Sequence, residues 1–234
     1  MTDTPRRQFV WDLPTRLFHW SLVVLIGFSW WSAEYRDIDW LHRSGMEWHR
    51  ISGLIVCGLL IFRILWGLFG TSTARFTQFV KGPKAIWAYL RPAKDEAKVE
   101  TLGHNPLGAI SVVALLLLLL VQITSGLFAT DEDMMESGPL SSFVNFDQSR
   151  VAAAIHHISF SLLQLLVLVH IIAILFYLFV KKRNLTGTMI TGHQPATDKS
   201  GAAAKPGSRW LLLLAILLSA GLASWIGYGV PPFQ

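Results

Sequence analysis

Six consecutive leucines, Leu115–Leu120, sit inside an apolar run from Pro106 to Ala129 that carries no charged residue. A hydrocarbon layer about 30 Å thick takes about 20 such residues to cross as a helix. Lipid offers the backbone no hydrogen-bond partner, so a helix, which satisfies its own, is the simplest way across. Four other runs read the same way: Leu17–Ala33, Ile51–Phe69, Ile155–Val180 and Trp210–Tyr228. The first two lie near the lower length limit of about 17 residues. Charged residues are 15% of the chain, against about 25% in a soluble domain. The sequence therefore predicts an all-α integral membrane protein, a four-helix transmembrane bundle with a fifth, C-terminal transmembrane helix. The N-terminus does not read as a signal peptide, because charged and aromatic residues come first and no small-residue cleavage site follows.

Lysine and arginine set the expected orientation. Fifteen fall in the N-terminal tail, the second loop and the fourth loop, and four (Arg36, Arg43, Arg50 and Arg150) in the first and third loops. The third loop is instead acidic, with Asp131, Glu132, Asp133, Glu136 and Asp147. The N-terminus is expected in the cytoplasm and the C-terminus on the periplasmic side of a bacterial inner membrane. The net charge of +5 is then a topology signal. It calls for no nucleic acid, and basic loops also suit anionic membrane lipid.

Histidine is rare and costly inside a span, yet His19, His49, His156 and His170 stand at or near the ends of apolar runs. His156 and His170 are fourteen residues apart on one run, which puts them close to one helix face and about 21 Å apart. With the orientation above, His19 shares an inner depth with His170, and His49 an outer depth with His156. Each matched pair suits the two axial ligands of one haem b. The attachment would be non-covalent, since no Cys-x-x-Cys-His occurs and the lone Cys57 admits no internal disulfide. His157 is turned about 140° away from His170, which assigns it to the interface or a haem propionate. A lone interfacial histidine is commonly a hydrogen-bonded anchor, and the matched depths are what favour ligation here. His42 and His193 read as solvated. His104 precedes Asn105-Pro106 and marks a helix start, or a contact for a proton or a quinone.

Gly53 follows His49 by one turn on the same face, where a missing side chain lets a flat porphyrin approach; helix packing is the alternative. Gly27, Gly108 and Gly126 suit either role, with packing the simpler one. Arg63, fourteen residues past His49, lies at the inner haem depth. It either pairs with a propionate or snorkels to the interface. Arg16 and Arg50, beside His19 and His49, are candidate propionate or lipid-headgroup contacts. The tryptophans read as an aromatic belt. Phe76–Leu90 is partly amphipathic and suits the cytoplasmic surface. Ala196–Ser208 reads as a flexible linker to a fifth span that carries no histidine and no acidic residue.

Three stretches resemble the bacterial di-haem cytochrome b-561 family, which includes the b-type cytochrome subunit of nickel–iron hydrogenases. They are Trp11-Asp12-Leu13-Pro14-Thr15-Arg16-Leu17-Phe18-His19-Trp20, His49-Arg50-Ile51-Ser52-Gly53 with Arg63-x-x-Trp66-Gly67, and His156 with His170. His104-Asn105-Pro106-Leu107-Gly108 resembles a sub-branch of single-chain members. The likeness covers about residues 8–192 and leaves out the fifth span. It implies a four-helix haem-binding bundle with two haems b, each held by two histidines, and His19, His49, His156 and His170 as the iron ligands. The expected organisation is a cytoplasmic tail over 1–16, the di-haem cytochrome b domain over 17–192, a cytoplasmic linker over 193–208 and the fifth span over 209–234.

The resemblance also implies electron transfer across the membrane, between quinone or quinol and an outer-face redox protein such as a hydrogenase or a c-type cytochrome. Two axial histidines leave no iron position open, which favours outer-sphere transfer over chemistry at the metal. The acidic third loop suits a basic partner, and a homodimer is compatible with the sequence. Two other readings compete. One is a self-contained quinone-linked oxidoreductase, such as a superoxide:quinone enzyme. The other is a haem-free scaffold or transporter, although the paired broken spans of a transporter site are missing.

Overall fold

The computed structural model describes residues 7–35, 39–90, 102–132, 135–196 and 202–229. Arg6, Arg36, Arg91, Lys94, Lys98, Asp133 and Lys199, which enter the charge reading, lie outside these. A short strand β1 (Arg7–Phe9) precedes helices α1 (Leu13–Glu34), α2 (Gly45–Phe69), α3 (Phe76–Phe79), α4 (Pro83–Leu90) and α5 (Pro106–Phe128). A 3-10 turn (Ser141–Phe143), α6 (Phe146–Phe179), α7 (Leu185–Thr191), a strand β2 (His193–Pro195) and α8 (Arg209–Gly227) follow. The protein is an all-α membrane bundle.

Helices α2, α5, α6 and α8 are each long and apolar enough to cross a membrane. Helix α1, the predicted first span, has the length, at 22 residues. It is more dilute in apolar residues, because His19, three serines and three tryptophans lie within it.

Besides α1, which begins at Leu13 where the apolar run begins at Leu17, two helices start well before the apolar pattern predicts. The second span was expected from Ile51 and the fourth from Ile155, whereas α2 begins at Gly45 and α6 at Phe146. Hydropathy registers only the apolar part of a helix. The true starts are set by reciprocal capping. At α2, Glu47 accepts the Ser44 N–H at 2.9 Å and donates its own N–H to the Ser44 hydroxyl at 3.2 Å. At α6, Asn145 and Gln148 make the equivalent exchange at 3.1 and 2.9 Å. The 34 residues of α6 extend about 51 Å, so this helix outruns the hydrocarbon core.

The chain divides into two compact units. The first holds Met1–Leu17, Ile64–Ala114 and Val167–Leu213, and the second holds Phe18–Arg63, Leu115–Leu166 and Leu214–Gln234.

In the first unit, buried Asp12 gathers three donors. It caps α1 by accepting the Thr15 N–H at 3.1 Å. Its other oxygen accepts the Trp66 indole N–H at 2.9 Å and the Thr71 hydroxyl. Trp66 is 2% exposed, so it is a core residue and not part of an interfacial belt. Strands β1 and β2 pair antiparallel, Gln8 opposite Gln194. The expected amphipathic segment is two short helices, α3 and α4, interrupted over 80–82. The expected flexible linker is docked where it is described. Ala204 N–H donates to the Phe9 carbonyl at 3.1 Å, and Lys205 exchanges two bonds with Ser72 at 3.0 and 2.9 Å. A Cβ at Gly207 would meet the Trp66 ring at 2.8 Å, so only glycine passes there.

In the second unit, α8 lies on α2. A Cβ at Gly58 would stand 3.2 Å from Ala223 Cβ, and one at Gly227 would meet Leu54 at 3.0 Å. Small residues bring the two backbones together, as membrane helices commonly pack. The 129–140 segment folds back on the end of α5, with Gly138 N–H on the Ala129 carbonyl at 2.8 Å and Leu140 N–H on Leu127 at 2.9 Å. Arg150 of α6 holds this segment through the Thr130 carbonyl at 2.9 Å and Glu132 at 2.8 Å.

Candidate functional site

The second unit brings His49 and His156 together. His49 stands in the second turn of α2 and is half-buried. Its Nδ1 donates to the Ser29 carbonyl of α1 at 2.8 Å, with the Ser29 hydroxyl 3.1 Å away. A carbonyl can only accept, so Nδ1 carries the proton and Nε2 keeps its lone pair. His156 on α6 has the same arrangement, its Nδ1 donating to the Gln122 carbonyl of α5 at 2.8 Å. The Gln122 side-chain amide donates to His156 Nε2 at 3.1 Å, and the Ser159 hydroxyl donates to the Gln122 side-chain oxygen.

The two imidazole rings stand 6.0 Å apart between centroids, with planes at 88°. Imidazoles on opposite sides of one metal, each at an N–metal distance of about 2 Å, have centroids about 6 Å apart. Each ring also commits Nδ1–H to a backbone carbonyl, the usual device for presenting Nε2 to a metal. Among the described residues, no group of three or more His, Cys, Asp or Glu could hold a metal ion. Two imidazoles are too few for a bare ion, but they would suffice for a porphyrin iron, to which the macrocycle brings four nitrogens of its own. Glycines make room on both sides. A Cβ at Gly53, one turn from His49, meets nothing within 4 Å, whereas one at Gly126 would come 2.7 Å from the His156 ring. The residues present therefore fit a b-type haem.

The remaining sequence candidates fall as follows. His157 is exposed, and its ring meets that of His156 at 6.4 Å. His19 is half-buried on α1, edge-on to Trp20 at 5.0 Å. His170 is half-buried on α6, in the first unit. Arg63 is 3% exposed, so its guanidinium does not reach the surface as snorkelling requires. Arg16 is half-buried beside Gly192, where a Cβ would stand 2.7 Å from its Nη1. Arg50 is exposed. His104 is held between Trp11 and Phe79, 4.7 Å from each ring centroid. Asn105, and not His104, caps α5, through the Gly108 N–H at 2.8 Å, and its amide donates to the Tyr177 hydroxyl at 2.5 Å.

Sequence reasoning passed over Gln122, Ser159 and Ser29. Gln122 left a signal, as the one strongly polar side chain between Ser111 and Thr124 in a helix without a charged residue. Such amides bond to neighbouring helices because lipid offers them nothing. The serines left none, since serine in a span is equally a packing residue.

A membrane helix bundle with facing, carbonyl-anchored imidazoles is built as a haem-carrying membrane protein. The chain belongs to the prokaryotic cytochrome b561 family, whose model matches residues 10–192. It is thus a membrane b-type cytochrome that binds haem and transfers electrons. The matched stretch ends before β2 and α8. No curated protein and no solved structure matches the chain.

Proposed function

We propose that the chain carries electrons across the membrane through two haems b, each held by two histidines. The observation that carries this reading is the His49–His156 pair, 6.0 Å between centroids with both Nδ1 atoms anchored. His49 and His156 hold one haem, and His19 and His170 the other, the second pair resting on the matched depths in the sequence. When bound, haem b supplies a one-electron couple. With two imidazoles given to each haem, water and oxygen would find no place at the iron. Arg63, a buried positive charge, would pair with a propionate of the inner haem and would raise its potential by disfavouring the oxidised form. Gly53 admits the edge of the His49–His156 haem.

The excess of lysine and arginine supports a cytoplasmic N-terminus and a periplasmic C-terminus, with the His49–His156 pair on the outer side. The acidic segment with Asp131, Glu132, Glu136 and Asp147 is the surface for a basic redox protein, such as a c-type cytochrome or a hydrogenase subunit. Quinone or quinol exchanges electrons at the inner side.

Pyridine haemochrome on purified protein, with single alanine variants, tests the assignment. The expected result is two haems b per chain, about one after His19→Ala, His49→Ala, His156→Ala or His170→Ala, and two after His157→Ala. A single haem in the unaltered chain, or loss at His157 with none at His156, overturns it.

A further inference from the structure

We propose that Gln122 and Gly126 of α5 form a positioning seat for His156, and that Ser159 locks it. The inference rests on the reading of His156 as an iron ligand. Four observations meet at this point. The Gln122 carbonyl takes the Nδ1 proton at 2.8 Å, which fixes the tautomer. The Gln122 amide lies 3.1 Å from Nε2, so one residue of α5 addresses both ring nitrogens. The Ser159 hydroxyl, one turn along α6 from His156, holds the amide oxygen and so orients its nitrogen toward the ring. The ring reaches that carbonyl only because residue 126 has no side chain, since a Cβ there would lie 2.7 Å from Cε1 and 2.9 Å from Nδ1.

Gln122 and Ser159 are 9% and 3% exposed, so water does not replace these bonds. His49 has the same backbone anchor at Ser29 but no amide at its Nε2 among the bonds described. The two ligands of the pair are therefore held unequally, and the α5 side is the more determined. An amide N–H and an iron both seek the Nε2 lone pair, so on iron binding the Gln122 amide would release Nε2 and stay packed beside the ring, held there by the Ser159 hydroxyl. Gly126 is in this sense a requirement of the site and not only of helix packing.

The test uses the full-length cytochrome in lipid nanodiscs with Gln122→Leu, Ser159→Ala, Ser159→Thr and Gly126→Ala. The readouts are the low-spin ferric EPR signals and the rate of haem transfer to excess apomyoglobin. EPR g-values report the orientation of the axial rings, which a general loss of packing would not move selectively. Gln122→Leu is expected to shift one of the two low-spin signals and leave the other in place. It should also speed one phase of haem loss roughly tenfold, the usual scale for a residue behind a metal ligand. Ser159→Ala should act in the same direction, and Ser159→Thr, which keeps the hydroxyl, should restore the native signal. Gly126→Ala should abolish the same signal, and if that variant fails to fold, Gln122→Leu alone decides. Unchanged signals and rates in Gln122→Leu and Ser159→Ala overturn the inference. His156→Ala separates the two levels. If it loses one haem while Gln122→Leu changes nothing, the ligand assignment stands and the seat falls. If it keeps both haems, the ligand assignment itself has failed.

Discussion

Asp12 shows what one buried residue holds together. Its carboxylate accepts from the Thr15 backbone, the Trp66 indole and the Thr71 hydroxyl, and so ties the start of α1 to the end of α2. Removing it strands buried donors, each at about 1–3 kcal/mol. Asp12→Ala is therefore expected to lose about 3 kcal/mol, read as a lower midpoint for thermal loss of helical circular dichroism, with haem loss following unfolding and not preceding it. Arg63 makes an electrostatic prediction at the same scale. At an effective dielectric constant of about 20, a charge about 10 Å from a redox centre contributes about 1.7 kcal/mol. Arg63→Met is accordingly expected to lower one haem's midpoint by about 70 mV, a roughly fifteenfold change in its reduced-to-oxidised ratio for a one-electron couple. A potentiometric titration with both midpoints unmoved would remove Arg63 from the haem environment.

At the scale of the element, α8 needs explaining because it lies beyond the matched family segment. Its contacts with α2 run through Leu54 and Gly58. Gly58 is nine residues from His49, a half-turn around the helix at 100° per residue. Helix α8 thus backs α2 on the side away from His49. Most of its other residues, including Leu213, Leu217 and Trp225, are exposed and suit lipid. Gly58→Leu is expected to lower stability by about 1–3 kcal/mol through overpacking, while the reduced-minus-oxidised spectrum keeps its intensity. Loss of haem absorbance in a variant that still melts normally would place α8 nearer the haem than this reading allows.

At the scale of the whole molecule, the proposed orientation and partner both rest on the distribution of charge. Glu136 and Asp147 lie on the same acidic segment, and Asp147 is exposed. Reversing both, as Glu136→Lys with Asp147→Lys, should slow electron exchange with a basic c-type cytochrome about tenfold at low ionic strength, because steering of this kind acts chiefly on association. At about 1 M salt, where the screening length is about 3 Å, variant and parent should converge. Equal stopped-flow rates at low salt would move the docking surface elsewhere.

Much of this was legible in the chain. Apolar run length placed four of the five expected spans, and helical rotation separated His156 from His157, which the structure finds half-buried and exposed respectively. Both are local properties, set by the residues of one helix and its fixed geometry. What received the rings was not local. The Ser29 carbonyl is twenty residues from His49, and Gln122 is thirty-four from His156. Lys205 meets Ser72 across 133 positions, which turned an apparently flexible linker into a docked one. Hydropathy sees none of these, because a backbone carbonyl has no sequence signature and a glycine's missing side chain matters only when another helix arrives beside it. The chain by itself determined which segments are helices and which faces carry imidazole. Only the tertiary structure decided which carbonyl orients each ring, since that depends on which helices are neighbours.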